Sequence, residues 1–182
     1  MFRNIITDSR SVAFGCSHTW GVGVEANETW PYLLNAKNYG IVGASPDQVT
    51  RIAKDIINPD TVDTVFVLWP DWTRFEYIDD QGNTQQSHAT DPNRILFMDT
   101  HNEQWCRTNF WENLRQLHSL CSINNIRFVD MSLYDLTPYL DHADKWPLSK
   151  LGHHFAPEWH QKVADLFTWA LETKHIFPFS YE

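Results

Sequence analysis

The chain has 182 residues, enough for one domain that buries a core without disulfides or metal. Hydrophobic residues make up 42 % and charged residues 20 %, ordinary values for a globular protein. The formal net charge of −9, with no run of Lys or Arg, argues against a protein that grips nucleic acid by its phosphates. An anionic face also repels acidic lipid, and no stretch approaches the roughly 20 apolar residues of a membrane helix. The polar start, Met1 to Arg10, lacks the apolar block of a signal peptide. Three cysteines, Cys16, Cys106 and Cys121, share no metal-ligand spacing, and their odd number argues against a disulfide framework. These features predict a cytoplasmic protein with reduced thiols, no cofactor and no metal site.

Ser11 to Gly15 is a short apolar run ending at glycine, as a buried parallel strand does. A loop is expected from Cys16 to Asn27, then a helix from Glu28 to Lys37 with Pro31 near its first turn. Asn38 to Val42 reads as a second strand, followed by Gly43-Ala44. Ser45 can cap a helix whose apolar face uses Val49, Ile52, Ala53, Ile56 and Ile57. Thr64 to Trp69 is the strongest strand. Between Asp71 and His101 the pattern dissolves, with Phe75–Ile78 and Gly82-Asn83 suggesting a hairpin. Such an insertion suits a lid or the wall of a site.

Glu103 to Asn124 is the longest helix, with Trp105, Phe110, Leu114, Leu117 and Leu120 roughly on one side. Ile126 to Asp130 is the next strand, and Met131 to Leu151 is irregular. Pro157 begins the last helix, whose apolar surface draws on Trp159, Val163, Ala164, Phe167, Trp169 and Leu171. Strands alternating with helices predict a single-domain, three-layer α/β/α sandwich around a parallel sheet of about five strands. Ligands of such sheets bind beyond the C-terminal strand ends. Gly15-Cys-Ser17, Gly43-Ala44 and Trp69-Pro-Asp71 all lie there and are expected to be neighbours.

Three segments carry candidate chemistry. They are Phe14-Gly-Cys-Ser-His-Thr-Trp-Gly21, Asn38-Tyr-Gly-Ile-Val-Gly43-Ala-Ser45 and Gly152-His-His-Phe-Ala-Pro-Glu-Trp-His160. A serine hydroxyl needs a base to take its proton before it attacks a carbonyl. Ser17 lies just past a strand end, where its own N–H can serve the carbonyl oxygen under attack. Gly43 lets substrate approach a second N–H. His154 precedes the last helix, far from Ser17 in sequence and expected near it in space. Asp71 and Arg74, after the strongest strand, are candidates for contacting substrate, although a solvated loop is the plainer role for them.

In order and content these segments resemble the conserved blocks of SGNH/GDSL hydrolases. The resemblance implies a flavodoxin-like SGNH fold, Ser17 as nucleophile, Gly43 as an oxyanion donor and His154 as catalytic base, with His160 at the helix position. Two features depart from the pattern. The family's acid stands three residues before the histidine, where this chain has Leu151. Its third block offers Gly-x-Asn-Asp, where this chain has Trp69-Pro-Asp-Trp72. A Ser17–His154 dyad, an acid supplied by Asp144 or Asp141, and loss of catalysis all stay open, with Asp144 favoured because Trp146-Pro147 stiffens the turn back toward His154. The expected substrate is an ester of a small molecule, lipid or carbohydrate. The alternative is an inactive module binding a carbohydrate or acyl group, to which nine Trp, eleven Phe and six Tyr would be well suited.

Overall fold

The computed structural model describes residues 3, 6–79, 81–87, 103–132 and 154–174. Four strands among them form one parallel sheet: β1 (Ser11–Gly15), β2 (Lys37–Asn38), β3 (Thr64–Trp69) and β6 (Arg127–Ser132), in the order β2-β1-β3-β6. β1 and β3 pair in register from Ser11 opposite Thr64 to Gly15 opposite Leu68. Both are interior strands, buried on both faces, which is why their sequences are continuous apolar runs.

Alternation along the strands divides the core in two. Val12, Phe14, Val65, Val67 and Trp69 face α3 (Pro46–Ile56) and α4 (Glu103–Ile123). Ala13, Phe66, Leu68 and Met131 face the other way, onto α2 (Trp30–Leu33) and α5 (Pro157–Thr173). The result is the expected α/β/α sandwich. No helix among the described residues is long and apolar enough to cross a membrane.

Several boundaries differ from expectation. The loop after Cys16 contains α1 (Ser17–Trp20) and a 3-10 turn at Ala26–Glu28. The helix expected over Glu28 to Lys37 reduces to α2, because Asn35 turns left-handed at φ 51°. β2 stops at Asn38, whose side-chain oxygen accepts the Gly40 N–H and bends the chain away. Pairing with β1 nevertheless continues irregularly through Tyr39 and Ile41. β6 starts one residue later than expected and runs two further, to Ser132.

Helix faces also shift. On α4 the buried stripe is Cys106, Phe110, Asn113, Leu117 and Cys121, while Trp105 lies at the surface. On α5, His160 and Ala170 are buried and Trp169 is exposed. Polar members of these stripes are hydrogen-bonded, which is what permits their burial. Asn113 and Asn109 both donate to the Asp47 carboxylate at 2.9 Å. Asp47 also accepts the Glu76 N–H at 3.1 Å, and Arg51 pairs with Glu76 at 2.8 Å. One carboxylate on α3 thereby fastens α4 and the antiparallel hairpin of β4 (Phe75–Ile78) and β5 (Thr84–Ser87).

His160 joins the two helices of the other layer. Its Nδ1 accepts the N–H of Trp30, the first residue of α2, at 3.1 Å, supplying a partner that the helix itself cannot. Burial, reinforced by the charge of Arg3, pushes its pKa from 6.5 down to about 4. Between these values the unfolded chain binds a proton that the folded chain does not, so stability falls as pH drops through that window. The slope from this ring is about 1.4 kcal/mol per pH unit. Urea unfolding at pH 7 and pH 5 should show this loss, and His160→Gln, which keeps an acceptor but does not titrate, should show a smaller one. Equal losses would contradict this assignment.

Candidate active site

The chain leaves β1 toward β2 on one side, and β3 lies on the other, so the C-terminal end of β1 is the switch point of the sheet. The backbone there is forced close. Gly15 has φ +150°, and a Cβ on it would collide with the Thr19 side chain and fall 2.5 Å from the Leu68 carbonyl oxygen. α1 can therefore fold back over the strand end only with glycine at this position. Ser17 opens α1 and is buried. The Cys16 carbonyl accepts the N–H groups of Thr19 and Trp20 at 3.0 and 2.9 Å. First-turn N–H groups have no acceptor within a helix, which leaves those of Ser17 and His18 suited to an oxyanion. Gly21, left-handed at φ 84°, ends the turn.

A second close approach fixes α1 from the side. Asn38 is buried, donates from Nδ2 to the Thr19 carbonyl at 2.8 Å, and accepts the Gly40 N–H at 2.9 Å. A Cβ on Gly40 would fall on the backbone nitrogen of Trp20 and 2.8 Å from the Thr19 carbonyl carbon. Ile41 N–H donates to the Gly15 carbonyl at 3.0 Å. Gly43 follows two residues later in a left-handed turn, φ 82°, and Ser45 then caps α3 by accepting the Gln48 N–H at 3.2 Å. The first two sequence segments thus meet at the end of β1.

From the α5 side come His154 and Phe155, the first described residues of the third segment. The His18 ring lies 4.2 Å from that of Phe155 and 5.2 Å from that of His154, centroid to centroid. His154 is therefore packed against the residue adjacent to Ser17. Burial holds the His18 pKa far down, to about 3, helped by charge on His154, His160 and Arg74. His18 is neutral at any working pH.

Asp71 and Arg74 occupy the turn after β3. The Asp71 carboxylate accepts both the N–H and the hydroxyl of Thr73 at 2.8 Å, so it braces its own turn. Arg74 is partly buried, and its positive charge bears on His18. Asp144, Asp141 and Leu151 lie outside the described residues. Sequence reasoning missed Asn38 and gave His18 a loop role.

No protein-family model matches the chain, and no curated protein matches it. Among solved structures it is similar to a lipolytic protein of the G-D-S-L family from Veillonella parvula, with 16% identity over 94% of this chain and 98% of that one, at a TM-score of 0.42. It is also similar to a protein from Desulfitobacterium hafniense described as lipolytic and of the G-D-S-L family, with 14% identity over 87% and 96% of the two chains, TM-score 0.43. A protein from Bacteroides fragilis described as an acylhydrolase shows 18% identity over 90% and 86%, TM-score 0.44.

The clamp on α1 is testable without a substrate. Asn38→Leu removes both hydrogen bonds and strands the Thr19 carbonyl and the Gly40 N–H in a buried setting. Each orphaned group should cost about 1–3 kcal/mol in denaturant unfolding. A change within about 0.5 kcal/mol, the range of an ordinary surface substitution, would show that the clamp does not hold the turn.

Proposed function

We propose that the chain is an ester hydrolase of the SGNH/GDSL type, with Ser17 as nucleophile and His154 as base. The observation that carries this reading is the packing of the His154 ring against His18, next to a serine that opens the turn at the end of an interior strand. In the first step His154 Nε2 takes the Ser17 hydroxyl proton while Oγ bonds to the ester carbonyl carbon. The oxygen becomes an anion, received by the N–H groups of Ser17 and Gly43. Collapse breaks the bond to the alcohol, which leaves with the proton from His154. Water, deprotonated by His154, then attacks the acyl-serine, releases the acid and returns the proton to Ser17.

The base must present an unprotonated Nε2, which requires its Nδ1–H to be held. We assign that task to Asp144, because a carboxylate both fixes the tautomer and offsets the imidazolium charge. Substrate is a small-molecule, lipid or carbohydrate ester, and no cofactor enters the cycle.

Hydrolysis of p-nitrophenyl acetate by the wild type is the direct assay. Ser17→Ala should abolish it and leave the melting temperature nearly unchanged, since one hydroxyl contributes little to the core. Asp144→Asn should lower kcat by about 10³–10⁴, as in a triad whose orienting carboxylate becomes an amide. Equal turnover by wild type and Ser17→Ala would overturn the nucleophile assignment, and a silent Asp144→Asn would overturn the orienter.

A further inference from the structure

Arg74 differs from the other well-placed arginines of the chain. Arg10 is paired with Asp63, Arg51 with Glu76, and Arg3 donates to the carbonyls of Gly21 and Val24. The Nε and Nη1 atoms of Arg74 are buried, and among the described residues no hydrogen-bond partner meets them. The two carboxylates nearest in sequence are engaged elsewhere, Glu76 by Arg51 and Asp71 by Thr73. Withdrawing guanidinium donors from water without a partner is costly, so native chains retain such a group where a ligand completes it.

Its location gives the ligand a role. Arg74 sits on the turn beyond β3, and the end of β3 is paired with the end of β1, where Ser17 begins α1. The charge of Arg74 reaches the His18 ring, which also touches His154. A guanidinium offers parallel N–H donors that match two oxygens of a carboxylate or phosphate, and charge-assisted pairs of this kind are the strongest hydrogen bonds available. The chain as a whole, at −9, repels anions, so anion recognition here must be local.

We propose that the ester taken at this site carries an oxyanion group, a carboxylate or a phosphate, which Arg74 receives beside the nucleophile. The inference rests on the hydrolase reading for its ester and on Arg74 alone for its anion.

Two rigid esters separate the parts. 4-Acetoxybenzoate and 4-acetoxybenzamide present the same acetyl ester, with and without a remote carboxylate. The wild type should favour the anion in kcat/KM by about tenfold or more, and Arg74→Met should bring the ratio near one. Arg74→Met should also fold with a melting temperature no lower than wild type, because it removes an unpartnered buried charge. Binding is read apart from turnover by thermal shift. Benzoate and phenyl phosphate should raise the wild-type melting temperature where benzamide does not, and the rise should vanish in Arg74→Met. The larger of the two shifts identifies carboxylate or phosphate as the natural group. Equal kcat/KM for the two wild-type esters, or an anion preference that survives in Arg74→Met, would overturn the inference. Turnover of neither ester with the benzoate shift intact would overturn the hydrolase reading and leave the anion socket standing.

Discussion

The structure depends on one close backbone contact, where α1 folds back over the C-terminal end of β1. Gly15 permits it from below and Gly40 from the side, each at a distance no side chain tolerates. Asn38 then ties the two segments with one donated and one accepted hydrogen bond. Because β1 and β3 are interior strands locked in register, this contact has a rigid base. Ser17, the first residue of α1, is consequently placed by backbone geometry and sheet pairing.

Electrostatics at the strand ends follow from burial. His18 and His160 are both kept neutral, one against His154 and Phe155, the other beneath α2. The strongly buried imidazoles thereby serve packing and capping. Asp47 plays the corresponding part on the opposite layer, where it joins α3, α4 and the β4–β5 hairpin.

Much of the frame was legible in the sequence. β1 and β3 have the expected bounds because strands buried on both faces are unbroken apolar runs between turn signals. The hairpin followed from Gly82-Asn83, and the start of α3 from Ser45. Other features were not legible, for physical reasons. A four-residue helix such as α1 is too short to show a period, and tertiary contact creates it. Periodicity could not place Asn113 and His160 inside, since their burial depends on partners from Asp47 and Trp30. Ser17, Gly43 and His154 stood out through their motifs, whereas the chain gives no local sign that Asn38 clamps the turn. The burial of the Arg74 guanidinium was equally hidden, because an arginine in a polar segment reads as solvated.

The central claim is that Ser17 is an activated nucleophile. Covalent capture by a fluorophosphonate tests it most directly, because the reagent reacts with a serine that has lost its proton to a neighbouring base and not with an ordinary hydroxyl. Intact-protein and peptide mass spectrometry should find one adduct per chain, on Ser17, and none in Ser17→Ala. Absence of an adduct on the folded wild type, or an adduct on another residue, would contradict the account.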